Sequence, residues 1–303
     1  MQAIPNARAM LPAFMPYATL PTLSRRAFAL SLAGSGVSLL RSAQSEMHWA
    51  LLSDLHIPAN PADTFRGFKP QDNLKRIVPE ILKADPLGAL VCGDVARLTG
   101  LTADYEATRS LLQPLSEKMP IALALGNHDH RGNFLGVFGK TQSGIQHVDQ
   151  KHVLVVESAG LRVVVLDSLF ETNTTPGLLG KAQRAWLATF LQQSSELPTL
   201  LFVHHTLDDS DGSLLDAPRF FDILRPHRKV KAILYGHSHR YAYDVWEGVH
   251  LMNLPAVGYN FNDDQPVGWV DVKLTATGGA FTLRALGGSM EKDGKTVAVA
   301  WRA

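Results

Sequence analysis

Five apolar runs of this 303-residue chain stop at residues that can donate oxygen or imidazole nitrogen. Ala50-Leu51-Leu52-Ser53 leads into Asp54-Leu55-His56, and Ala89-Leu90-Val91-Cys92 leads into Gly93-Asp94. The run from Ile121 to Leu125 leads into Gly126-Asn127-His128-Asp129. Leu200 to Val203 ends at His204-His205, and Ala232 to Tyr235 ends at Gly236-His237-Ser238-His239. Cys92 is the single cysteine, which excludes a thiolate cluster and an intramolecular disulfide. Any metal must therefore use His, Asp, Glu or Asn, and imidazole with carboxylate suits Zn, Fe or Mn better than Mg or Ca. Asp54 with His56, and His237 with His239, stand two apart, so both side chains of a pair can leave one side of an extended segment. Gly93, Gly126 and Gly236 let the chain turn tightly against the donors. Together the five sets read as one coordination shell.

Donors from five strands meet only if the strand ends meet. In parallel α/β sheets the ligand crevice lies beyond the carboxyl ends of the strands, which places these donors there. The expected strands are 50–53, 88–92, 121–125, 153–156, 163–166, 200–203 and 232–235, short continuous apolar runs suited to burial on both faces. Helices are expected between them. Leu74, Ile77, Val78, Ile81 and Leu82 follow a helical repeat, with Pro79 expected to bend or shorten it. Residues 106–118 and 181–193 behave similarly. After Leu251 the pattern turns antiparallel, and Thr277-Gly278-Gly279 marks a hairpin between 269–274 and 281–286.

The 29 Lys and Arg nearly balance the 28 Asp and Glu, and no basic run of five occurs, so nucleic acid is not expected as an obligate partner. Residues 1–45 contain no acidic residue and no Lys; Ser24-Arg25-Arg26-Ala27-Phe28 precedes a weakly apolar run to Leu40 that Arg41 closes. This resembles a twin-arginine export signal. The run from Ala27 to Leu40 is 14 residues, short of the roughly 20 that cross a bilayer, so no membrane anchor is expected in the mature chain. Ala43 and Ser45 suit a cleavage site, leaving one catalytic domain over 46–303. Loss of Arg8, Arg25, Arg26 and Arg41 reduces 29 basic residues to 25 against 28 acidic ones, a net charge of −3. The expected location is periplasmic or extracellular.

The ordered set Asp54-x-His56, Gly93-Asp94, Gly126-Asn127-His128-Asp129, His204 and Gly236-His237-x-His239 resembles the calcineurin-like metallophosphoesterases. Asp-x-His alone carries almost nothing, Gly-Asn-His-Asp carries much, and all five in order are specific. Gln183 and Trp186-Leu187 also look like that family. The resemblance implies an α/β fold of four layers, two mixed β-sheets packed as a sandwich with helices on the outer faces. It implies two divalent or trivalent transition-metal ions, one on Asp54, His56, Asp94 and His239, the other on Asp94, Asn127, His204 and His237. A bridging hydroxide on such a centre would hydrolyse a small phosphate ester, monoester or diester. His128 would serve as general acid or electrostatic stabiliser.

The segment from Gly126 to Arg131, with Phe134 and Phe138, looks most like the bacterial cyclic-nucleotide and glycerol phosphodiesterase branch. Arg97 stands where purple acid phosphatases carry Tyr, which disfavours an iron-tyrosinate centre. An exported enzyme meets little cyclic AMP, so a broad phosphodiesterase or phosphomonoesterase is the leading reading and a cyclic-nucleotide phosphodiesterase the alternative. A silent, metal-stabilised binding protein is the alternative of another class, disfavoured because no ligand position is lost. His130, Arg131 and His205 are weaker candidates for substrate contact, with Thr206 standing where relatives often have Pro. His48, His147, His152, His227 and His250 fall in no motif and are expected to be structural, Cys92 to be a buried hydrophobe, Asp129 to brace its loop, and Asp167 to cap or support.

Overall fold

The computed structural model describes residues 46–303 apart from 140 and 159; the export-signal reading over Ser24 to Leu40 lies outside them. The first part of the chain forms β1 (Met47–Leu52), α1 (Pro70–Ala84), β2 (Gly88–Val91), α2 (Thr102–Ser116), β3 (Ile121–Leu123) and α3 (Arg131–Phe138). The middle forms β4 (Ile145–Val148), β5 (Lys151–Ser158), β6 (Leu161–Val165), α4 (Gly180–Gln193), β7 (Thr199–Phe202), α5 (Ala217–Leu224) and β8 (Val230–Tyr235). Five strands follow: β9 (Ala242–Trp246), β10 (Val249–Asn253), β11 (Pro266–Thr275), β12 (Gly278–Gly288) and β13 (Thr296–Ala300).

These strands build two mixed sheets, one in the order β13-β12-β11-β1-β2-β3 and the other β4-β5-β6-β7-β8-β10-β9. Alternation along β1 shows why they stack. Met47, Trp49 and Leu51 point between the sheets, against Phe202, Leu234 and Val163 of the second sheet. Ala50 and Leu52 point the other way, under Leu74 and Ile77 of α1 and Tyr105 of α2. The second sheet repeats the arrangement, with Val164, Leu201 and Ile233 facing Leu187 of α4 and Phe220 of α5. A strand buried on both faces must be apolar at every position, and each such side chain removed from water contributes roughly 1.5–3 kcal/mol. The result is the expected α/β sandwich with helices outside.

Two local expectations change. Pro79 does not shorten α1, which runs unbroken for 15 residues. Its ring lies on the exposed side, while Leu74, Ile77, Val78 and Ile81 are buried against the sheet and hold the helix together. The hairpin turn falls at Ala276-Thr277, because Gly278 already pairs with Thr275 and Gly279 with Leu274. Among the described residues no helix is long and apolar enough to cross a membrane.

Parallel neighbours position the donors. β1, β2 and β3 run parallel in one sheet, and β7 and β8 run parallel in the other. Their carboxyl ends open at the same edge of the sandwich. There the loops bond to each other: Asp54 N–H and His56 N–H donate to the carbonyls of Gly93 and Asp94, and Gly236 N–H donates to that of His204.

Candidate metal centre

Asp54, His56 and His239 converge as one group, and Asp94, His204 and His237 as a second, each with its ligand atoms within 4.8 Å of one another. The expected extended pairs are not how this is achieved. Asp54, His56, Asp94, His237 and His239 all have left-handed backbone, with φ of 52°, 48°, 47°, 70° and 53°. Each such residue costs about 1–2 kcal/mol, and the strain is retained because the crossed loops leave no alternative path. Gly126 and Gly236 make the close approach feasible. A Cβ on Gly126 would stand 2.7 Å from His204 Nε2 and collide with the Asp94 carboxylate; one on Gly236 would collide with Ser53 and Asp54.

Backbone carbonyls fix the imidazoles. His56 Nδ1–H donates to Arg97 O (3.2 Å), His239 Nδ1–H to Tyr259 O (2.5 Å) and His204 Nδ1–H to Cys92 O (2.6 Å). These bonds select the tautomer whose Nε2 lone pair faces inward. His56 Nε2 then lies 3.0 Å from His239 Nε2, two ring nitrogens brought together at the spacing of ligands that share one ion. His204 Nε2 is buried without a hydrogen-bond partner. Asp94 Oδ2 stands 3.5 Å from His56 Nε2 and 3.4 Å from His204 Nε2, between the two groups. Its other oxygen accepts from His128 N–H at 2.8 Å. Asn127 Oδ1 and His237 Nδ1, 2.9 Å apart, complete the second group. Ligands about 2.1 Å from a tetrahedral ion lie about 3.4 Å from each other, so the spacing suits a cation on each side of Asp94.

Charge points the same way. Burial pushes His56 down to about 3 and His237 down to about 4. Burial would raise Asp54 and Asp94, yet the facing imidazoles, His239 for the one and His204 for the other, hold both below the usual carboxylate range. Burial would lower His204, but the Asp94 and Asp54 charges lift it to about 9, the mark of a strongly negative surrounding. Anionic carboxylates and inward lone pairs, sealed from water, are what a cation compensates.

The remaining candidates separate. His128 is half-buried beside His56, ring centroids 5.3 Å apart, with Nδ1–H donating to Leu98 O at 2.9 Å, so that Nε2 is not used in that bond. His130 is exposed and caps α3, its Nδ1 accepting from Asn133 N–H. Arg131 is partly exposed and donates to Asp167 by two bonds of 2.7 and 2.9 Å. His205 is sealed behind His237, ring centroids 4.7 Å apart, bonded to Ser168 Oγ at 2.7 Å and covered by Gly177. It is fully buried. Asp129 accepts from the N–H groups of Val95, Ala96 and Gly126 and from Tyr105 OH, tying the loops after β2 and β3 together. Tyr259 and Phe261, which pack on His239, were not foreseen; an isolated Tyr-x-Phe carries no signal that distinguishes it from core.

Two sheets sharing an edge lined by two groups of candidate ligands place a candidate metal centre there, and similarity to known proteins identifies the class. A family model for calcineurin-like phosphoesterases matches residues 47–241. The chain belongs to that family and is a hydrolase acting on ester bonds. A protein named "Probable cyclic nucleotide phosphodiesterase" from Vesicomyosocius okutanii subsp. Calyptogena okutanii is 28% identical over 232 residues, covering 74% of this chain and 92% of that one. The 3′,5′-cyclic adenosine monophosphate phosphodiesterase CpdA of Haemophilus influenzae is 25% identical over 245 residues, 75% of this chain and 85% of its own. Among solved structures, a dimetal phosphatase from Danio rerio shares the fold with a TM-score of 0.67 at 15% identity, covering 84% of this chain and 99% of that one.

Proposed function

We propose that the protein is a two-metal phosphodiesterase acting on small phosphate esters. The observation that carries this is Asp94 Oδ2, nearly equidistant from His56 and His204 and so able to serve two ions at once. Asp54, His56, Asp94 and His239 would hold one ion; Asp94, Asn127, His204 and His237 the other. Two ions so held would supply Lewis acidity, lowering the pKa of water and neutralising phosphoryl oxygens. The chain's own residues do the rest. Carbonyl bonds to His56, His204 and His239 keep three rings in place, so loading needs no reorganisation of them. His128 Nε2 would deliver a proton to the departing alkoxide, its ring oriented by Leu98 O. Preference for diesters is supported by the names of both relatives, which also favour a cyclic nucleotide as second reading.

Metal analysis of purified protein, joined to a panel of aryl, glycerol and nucleotide mono- and diesters, tests this. About two ions of Fe, Mn or Zn per chain and diester hydrolysis that a chelator abolishes are expected. A reconstituted protein binding at most one ion overturns the two-metal assignment. Failure of the fully loaded protein to cleave any ester overturns the reading as a whole.

A further inference from the structure

One rim of the centre carries rings and guanidinium groups that the chemistry above does not use. Phe261 lies on His239, ring centroids 4.1 Å apart at 17°, and remains 43 % exposed. Arg66 stands 5.2 Å over the Phe261 ring and donates to the Phe261 carbonyl. Arg97, whose own carbonyl fixes His56, lays its guanidinium 3.4 Å over Phe65 and 5.8 Å from Tyr259. Arg97 Nε is buried and has no hydrogen-bond partner. Cation–π contact thus holds both guanidinium groups over rings beside the His56 and His239 half of the centre.

The opposite rim has the reverse character. The loop after β7 presents Asp208, Asp209 and Asp211 as exposed carboxylates. It passes close to His237, since a Cβ on Gly212 would stand 3.4 Å from His237 Nε2. An anionic diester is repelled from that rim and drawn to the arginines. What the organic part of the ester then meets is a shelf of flat π-surfaces and guanidinium planes. Such surfaces stack aromatic heterocycles and give no comparable grip to an aliphatic polyol.

We propose that Phe261 and Arg97, with Phe65 and Arg66, form a specificity subsite for phosphodiesters whose alcohol carries a flat aromatic or heteroaromatic ring, as a nucleoside does. This rests on the phosphodiesterase reading but assigns the selection of substrate to residues that hold no metal. The test compares metal-loaded enzyme on three methyl diesters, of a nucleoside 5′-phosphate, of a phenyl-bearing alkyl phosphate and of glycerol 3-phosphate. The wild type should prefer both ring-bearing esters. Phe261→Ala and Arg97→Ala should each lower that preference by about tenfold, chiefly through KM, while Phe261→Tyr restores it. Calorimetry with nucleoside 5′-monophosphate against glycerol 3-phosphate should show the same change in relative affinity. A nucleoside ester favoured over the phenyl-bearing one would mark the arginines as reading ring nitrogens; equal preference would mark stacking alone. Because Phe261 touches His239, metal content is measured on every variant, and Phe261→Leu substitutes if the alanine variant loses metal. Preference unchanged in fully loaded variants, or a wild type that cleaves the glycerol ester equally well, overturns the subsite. No turnover of any ester by loaded wild type fails the parent reading instead.

Discussion

The proposed division of labour places proton delivery on His128 and metal retention elsewhere. His128 hydrogen-bonds to the ligand set through its backbone N–H to Asp94, which an alanine keeps, and its ring packs beside His56 without bonding to it. His128→Ala should therefore retain both ions while turnover falls by roughly 10²- to 10⁴-fold. An ester with a very good leaving group should suffer less, because protonation of the departing oxygen then matters less. Metal analysis beside steady-state kinetics decides it, and loss of metal would make the residue structural. His152 has a different part. It is buried, its Nε2–H donates to Leu123 O at 3.1 Å, and its ring meets Phe134. Burial lowers it below its ordinary 6.5, with the Asp167 charge only partly offsetting this. The folded protein thus resists a proton that the unfolded chain accepts, so stability falls as pH drops below about 6.5. His152→Gln keeps a donor but cannot charge in that range. The difference in urea midpoint between pH 7 and pH 5 should be smaller in this variant than in wild type; an equal difference would exclude His152 as a contributor.

Elements differ in how plainly the sequence announces them. β1, β2, β7 and β8 are legible because their buried stretches 50–52, 88–91, 200–202 and 232–234 are apolar throughout up to the edge, where Asp54, Asp94, His204 and His237 follow. β4, β9 and β13 escape notice because their exposed residues break the apolar pattern, as Tyr243 and Asp244 do in β9. α3 and α5 have eight residues each, barely two turns of pattern. The candidate donors are legible as residue types. Their left-handed backbone is not, since nothing in Asp-x-His distinguishes an extended pair from two residues forced past each other by crossed loops. Arg131 and His205 show the complementary limit: each stands in or beside a motif, and only packing reveals that Asp167 and Ser168 claim them. Pro79 supplies a test at this scale. It sits inside α1, exposed, and forfeits a hydrogen bond of the helix. Pro79→Ala should stabilise the protein by about 1–3 kcal/mol in denaturant titration with unchanged turnover; a destabilised variant would mean that the proline is accommodated by a local geometry alanine cannot share.

At the scale of the whole molecule, the candidate centre exists only when both sheets are in place. Its residues follow β1, β2 and β3 of one sheet and β7 and β8 of the other, so an unfolded chain offers no such site and ion binding is linked to folding. A cell that must choose the metal would load it where folding occurs. Ser24-Arg25-Arg26-Ala27-Phe28 resembles the signals of proteins that cross a membrane already folded, and we propose that this protein is loaded in the cytoplasm and then exported. Arg25→Lys with Arg26→Lys should leave a folded, metal-bearing and active enzyme inside the cell, whereas wild type should be recovered outside it with about the first 45 residues removed. Fractionation with metal analysis, an ester-hydrolysis assay and N-terminal sequencing of each fraction decides between the outcomes. Normal export of the double variant, or wild type retained inside with Ser24 to Leu40 intact, would end the export reading. The enzyme would then share a compartment with cyclic nucleotides, and a ring-bearing substrate of that kind would become the stronger reading of the site.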